Sequence, residues 1–185
     1  MILTLNYVVV ALKMFVLRVK RACLSKVSML MARWLWLSVV MVVFDQVAKF
    51  AVLATMELYQ TISVMPFVNF TYVHNTGAAF SFLSQAGGWQ RWFFALFAVV
   101  ISVVLVVWLL RLKPHERLLA VSLSLVLGGA IGNLIDRVVL GYVIDFIDVY
   151  YQSWHWPVFN IADCAITIGV ALMVLDSFLS KEVEV

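Results

Sequence analysis

Charge is the scarcest commodity in this chain. Only 12% of its 185 residues are charged and 65% are hydrophobic, whereas an ordinary soluble domain has about 25% charged and 45–50% apolar residues. That balance excludes a disordered protein and an ordinary cytosolic enzyme, and it selects the membrane class. Cysteine is also scarce: Cys23 and Cys164 are the only two, too few for a disulfide framework. His74, His115 and His155 are scattered and pair with no cysteine at metal-ligand spacing, so no metal site is expected. There is no glycine-rich phosphate loop. Ser81 and Ser84 have no Lys or His at a spacing that suggests nucleophilic catalysis. Acids are missing from residues 1–33, which carry Lys13, Arg18, Lys20, Arg21, Lys26 and Arg33. No aromatic-and-basic pattern accompanies them, so no nucleic-acid partner is expected; a basic tract just before a long apolar run suits a membrane surface.

The length fits one domain. A spanning helix needs about 20 mostly apolar residues, and four runs qualify, at about 34–55, 92–110, 118–135 and 161–179. With the N-terminus inside, the inner side holds those six basic residues plus Arg111, Lys113, Arg117 and Lys181, and the outer side only Arg91 and Arg137. Such a bias places both termini in the cytoplasm. Both longer loops then face outward. Residues 62–82 are rich in Val, Phe, Thr and Tyr and run on to Gly87-Gly88, which predicts short strands at the bilayer surface. Residues 144–151, within the loop 137–160, mix apolar and acidic side chains at helical spacing and predict a short helix. The expected fold is an all-α integral membrane protein: four transmembrane helices, a small strand-rich extracytoplasmic loop and a short extracytoplasmic helix. Residues 1–33 form a basic extension, 34–180 the membrane domain and 181–185 a cytoplasmic tail. The extension is either a basic amphipathic surface helix or lies ahead of a true start at Met29 or Met31.

Ionisable groups in or beside spanning helices are costly and point to function by default. Asp45 and Lys49 share a helix face in the favourable acid-first order; they are either a self-neutralising pair or a support for a polar site. Asn133, Asp136 and Arg137 share another face, after the small residues Gly128, Gly129 and Gly132 that allow close helix packing. Asp136 with Arg137 reads as a boundary ion pair or as part of a site. Asn160 and Asp163 open the fourth span, where Asn160 suits an N-cap and Asp163 the helix dipole. Asp145 lies in the preceding loop at the same boundary. Adjacent helices can bring Asp145 and Asp163 face to face. Two close carboxylates share one proton, so one takes a proton from water while the other gives one to a carbonyl oxygen, as in aspartic proteases. His74 reads as a strand or surface residue and Cys164 as a buried thiol.

Five stretches resemble bacterial lipoprotein signal peptidase (signal peptidase II): Asp45-Gln46-Val47-Ala48-Lys49, Asn75 to Ser81, Gly128 to Arg137, Val143 to Phe146, and Phe159 to Asp163. They occur in the family's order over about residues 34–178. The resemblance implies a membrane aspartic endopeptidase of the bacterial inner membrane, working at the outer leaflet. Its substrate would be a prolipoprotein carrying a diacylglyceryl-modified cysteine, cut just before that cysteine. It implies catalytic Asp145 and Asp163. Asn133, Arg137, Asn160, Asn75, Gly77, Asp45, Lys49 and Asp136 would bind substrate or support the pair, with the Asn75 loop in a small cradle over the bilayer. It implies no cofactor and no metal, contact with membrane lipids, a monomer, and peptide-like antibiotic inhibitors. Two other classes remain as rivals. A proton-coupled transporter would use Asp45, Lys49, Asp136 and Asp163 as a relay, but a relay needs ionisable groups spread across the bilayer, and here they gather at one boundary. A purely structural bundle would not require two acids to meet.

Overall fold

The computed structural model of the protein describes residues 26–77 and 88–181. Expectations for the N-terminal stretch, for Ser81, Ser84 and Gly87, and for the end of the tail lie outside these residues. The described chain forms α1 (Lys26–Ala32), α2 (Leu35–Thr55), β1 (Thr61–Met65), β2 (Val68–Asn75), α3 (Trp89–Arg111), α4 (Arg117–Val139), β3 (Val143–Tyr151), β4 (Trp154–His155) and α5 (Ile161–Lys181). Four segments are long and apolar enough to cross a bilayer: Met29–Thr55, Trp89–Arg111, Arg117–Val139 and Ile161–Leu179. These are the four expected spans.

Helix α4 is the centre of the bundle and packs against α2, α3 and α5. Its small residues make that possible: a Cβ on Gly129 would collide with the Ala162 carbonyl oxygen, so glycine lets α4 lie directly against the first turn of α5. Leu109, Leu123 and Leu127 bury the end of the bundle away from the sheet, together with Met31 from α1. Trp36, Phe44, Phe50 and Leu96 point away from the bundle and stay exposed. Such a surface is unfavourable in water and suited to lipid.

At the other end lies a four-stranded antiparallel sheet in the order β1-β2-β3-β4. Pro66 and Phe67 (φ 71°) turn β1 into β2. Val52, Tyr72, Ile144 and Phe146 form a second core where the sheet meets α2.

Two boundaries differ from the sequence reading. Residues 143–151 are strand β3, not a short helix. The segment Val-Ile-Asp-Phe-Ile-Asp-Val-Tyr-Tyr is rich in β-branched and aromatic residues, and β2 and β4 pair with it on both sides. A pairing partner decides such a segment, whatever its local spacing suggests. In a strand, a separation of three puts Asp145 and Asp148 on opposite faces. The register of β2 shifts by one residue between Phe70 and Val73. That bulge turns Asn75 toward Asp145 while Asn69 faces Asp148. The third span also runs beyond residue 135 to Val139, so Asp136 and Arg137 lie in its last turn. Arg91, in the first turn of α3, donates to the carbonyl oxygens of Arg137 and Val138, at 2.7 Å each, and so satisfies carbonyls that a helix end leaves open.

Candidate active site

The N-terminus of α5 carries the first acid. Asp163 N–H donates to Asn160 Oδ1 at 2.9 Å, and Asn160 N–H donates back to Asp163 Oδ2 at 3.2 Å. This reciprocal cap satisfies two helix-end donors and fixes the carboxylate where the helix dipole favours negative charge. Asn160 therefore is an N-cap, but its side chain does more. Its Nδ2 donates to Asp145 Oδ1 at 2.6 Å, and also reaches Asn133 Oδ1 at 3.1 Å and the Ile144 carbonyl at 3.3 Å. One residue thus contacts both carboxylates.

Asp145 reaches the site from β3. Asn75 Nδ2, on the neighbouring strand, donates to its Oδ2 at 2.9 Å. Asp145 is 1% exposed. Burial, and then the charge of Asp163, push its pKa up to about 7, against the hydrogen bonds from Asn75 and Asn160. A carboxyl group near 7 can hold or release a proton at neutral pH.

Behind the pair lies a buried ionic cluster. Lys49 Nζ is 2.8 Å from Asp45 Oδ2, 2.8 Å from Asp136 Oδ2 and 2.9 Å from Asn133 Oδ1. An ammonium has three N–H groups, and here each has an acceptor. Asn133 then passes the contact on, donating from Nδ2 to Asp163 Oδ1 at 2.8 Å. Asp45 and Lys49 are therefore not a closed pair: two acids share one base. Gln46 joins the same cluster, donating to Asp136 Oδ1 at 2.8 Å and to the Gly132 carbonyl at 3.1 Å. The sequence reading gave Gln46 no role, although a polar side chain in an apolar span was a signal for one.

Arg137 does not pair with Asp136. It donates from Nη2 to the Gly77 carbonyl at 3.0 Å and from Nη1 to the Asn133 carbonyl at 3.3 Å. Gly77 N–H in turn donates to Asn75 Oδ1 at 3.0 Å. All ten residues singled out in the sequence meet in this one network.

A cavity of about 710 Å³ opens beside them, within the range of small-molecule sites. Asn75, Asn133, Arg137, Asp145 and Asp163 line its polar end, and Phe94, Phe97, Ile101, Val126 and Ile168 line much of the rest. Cys164 lies half-buried on its wall. The sequence reading missed the wall supplied by α3, because an uncharged span carries no mark of which face lines a cavity. His74 stays outside, its ring stacked 3.6 Å from that of Tyr142 and its Nε2 2.7 Å from the Tyr72 hydroxyl; burial lowers its pKa. Among the described residues, no group of three or more His, Cys, Asp or Glu side chains is arranged to hold a metal ion.

Four apolar spans around a buried polar network define a multi-pass membrane protein. Sequence comparison supplies the rest. The profile of signal peptidase (SPase) II matches residues 37–179. The lipoprotein signal peptidase of Alteromonas mediterranea is 57% identical over 146 residues, covering 79% of this chain and 80% of the relative. That of Pseudomonas syringae pv. tomato is 55% identical over 163 residues, covering 87% and 94%. A solved bacterial membrane enzyme superposes with a TM-score of 0.73 at 35% identity, covering 81% of this chain and 90% of the other. The chain belongs to the signal peptidase II family, and is a bacterial membrane protease.

Proposed function

We infer that this protein removes the signal peptide from diacylglyceryl-modified prolipoproteins, cutting just before the lipid-bearing cysteine, with Asp145 and Asp163 as its catalytic pair. The observation that carries the assignment is Asn160, whose amide and backbone N–H hold the two carboxylates together at the polar end of an apolar cavity. The names of the relatives, lipoprotein signal peptidases, support the substrate class.

One carboxylate is ionised and takes a proton from water as the water oxygen attacks the scissile carbonyl carbon. The other is protonated and gives its proton to the carbonyl oxygen. The tetrahedral intermediate collapses as the carboxyl that took the water proton gives it to the leaving amine nitrogen, while the other carboxylate takes a proton back from a hydroxyl of the intermediate, which restores the starting pair. Asn75, Asn133 and Asn160 keep both carboxylates oriented through these steps. Acyl chains fix the scissile bond at the leaflet surface, each buried CH₂ contributing about 0.8 kcal/mol, and the apolar cavity wall suits them. The excess of Lys and Arg in the segments away from the sheet supports cytoplasmic termini and a site at the outer leaflet. Because the whole network comes from one chain, a monomer suffices for catalysis. The same cavity is the expected site for peptide-like antibiotic inhibitors.

The test is cleavage of a diacylglyceryl-modified prolipoprotein by the purified protein beside Asp145→Asn and Asp163→Asn, with a chelator present. Cleavage by the unsubstituted protein alone is expected. Turnover by either variant near the parent rate would remove the pair, and an intact substrate with folded parent protein would remove the reading.

A further inference from the structure

The buried cluster behind the site has a geometry that neutralisation does not explain. Two acids crowd one lysine in a buried place: Asp45, Lys49 and Asp136 are exposed by 0%, 1% and 2%. A span that needed only to neutralise Lys49 would keep one acid, because each further ionisable group in a span is costly. Each acid has a second partner, however, and the two partners are related. Asp136 Oδ2 accepts the backbone N–H of Ile144 at 3.1 Å, one residue before Asp145. Asp45 Oδ1 accepts the backbone N–H of Ala162 at 2.9 Å, one residue before Asp163. Lys49 holds these two carboxylates on one ammonium and holds Asn133 with its third N–H. Asn133 in turn grips the Asp163 carboxylate and accepts from Asn160, which grips Asp145. Beside the direct bridge that Asn160 makes between the two carboxylates, β3 and α5 are thus tied a second time from behind, through Lys49 and its direct partners.

We propose that Asp45, Lys49 and Asp136 act as a buckle that sets the separation of Asp145 and Asp163, with Lys49 as its central positioning residue. The proposal rests on the assignment of Asp145 and Asp163 as the catalytic pair. None of the three residues lines the cavity, so none contacts substrate; their effect is on the spacing of the groups that do. Gln46 ties the two acids together a second time, 2.8 Å from Asp136 Oδ1 and 3.4 Å from Asp45 Oδ2.

The experiment measures kcat and KM per folded molecule for the full-length protein in detergent, on a diacylglyceryl-modified prolipoprotein. The variants are Lys49→Met, Asp45→Asn, Asp136→Asn and the triple combination. A misplacement of about 1 Å in a catalytic group costs on the order of 100-fold in rate, so Lys49→Met is expected to lower kcat by about that factor. KM should stay within about threefold, because uniform binding is untouched. Residues that act as one unit are not additive, so the triple variant should lose no more than Lys49→Met alone. The triple variant also removes the buried charges together, which keeps the test open if the single lysine variant does not fold: its kcat should then still fall about 100-fold at unchanged KM. A parent-like kcat in the folded variants, or losses that multiply across the three sites, would overturn the buckle while parent cleavage stood. Failure of the parent protein to cleave would instead strike the catalytic assignment.

Discussion

Arg137 donates to the backbone carbonyl of Gly77 at 3.0 Å, joining the last turn of α4 to the end of β2. Asn75 and Gly77 are thereby held at the polar end of the cavity by a side chain that also lines it. Hydrogen bonds from a charged donor are worth about 1.5–3 kcal/mol. Arg137→Ala should therefore lower kcat/KM by roughly 10–100-fold. Arg137→Lys should recover little, because a lysine has no fork to reach both Gly77 and Asn133. Steady-state cleavage of a lipidated prolipoprotein checks both; a lysine variant with full activity would show that charge alone is needed there.

Asp145 carries a stability cost with a defined pH range. Its pKa is raised from the ordinary 3.8 to about 7 by burial and then by the charge of Asp163, so the fold favours the protonated acid. The associated stability is fully present below pH 3.8, declines as pH rises, and is gone above about 7. At about 1.4 kcal/mol per unit, the full effect is on the order of 4 kcal/mol. Asp145→Asn should unfold at a higher temperature than the parent above pH 7, match it near pH 4, and cleave nothing. Thermal unfolding across that pH range, with parent and variant in the same detergent, gives the comparison. A constant difference at all pH values would contradict the assigned titration.

Three residues further along β3, Asp148 behaves in the opposite way. Burial raises its pKa, but hydrogen bonds from His155, Asn69 and Thr71 outweigh that effect and hold it below the ordinary value. Its stabilisation is present above pH 3.8 and is lost as pH falls through the lowered value. Asp148 fastens β4 to the sheet through His155, 2.8 Å away, and the chain after β4 supplies Trp156 and Phe159 to the cavity wall. Asp148→Asn should cost about 1–3 kcal/mol and raise KM more than it lowers kcat. Complete loss of kcat would instead place Asp148 in the reacting network.

Gly129 is predicted to tolerate no side chain. A methyl group there meets the Ala162 carbonyl, one residue before Asp163, and both partners are helix backbone. Overpacking of this kind typically costs 1–3 kcal/mol. Gly129→Ala should lower the unfolding temperature and reduce cleavage by more than the fraction unfolded explains, since the clash pushes on the helix backbone at Ala162, next to Asp163. Parent-like activity in the folded fraction would show that α4 and α5 can separate without disturbing the pair.

The spans were legible in the sequence because a bilayer imposes length and apolarity on any helix that crosses it, and no tertiary contact is needed to read them. The acids, asparagines and Arg137 were legible for a related reason: polar side chains in or beside such helices are costly and stand out against an apolar background. Asp145 was found by its boundary position, yet its strand was not. Residues 143–151 carry an acid spacing that fits a helix, and only pairing with β2 and β4 makes them extended. The bulge in β2 that turns Asn75 to one acid and Asn69 to the other leaves no local signature. Nor did the pairing of Asp45 with Lys49, visible as an i, i+4 spacing, announce that Asp136 from another helix would share the same ammonium. The sequence by itself determined which residues are costly enough to need partners. Which partner each one found was decided by the packing of α2, α4 and α5, because a hydrogen bond needs its heavy atoms about 3 Å apart, and only the folded bundle brings Ala162 that close to Asp45 and Asp136 that close to Lys49.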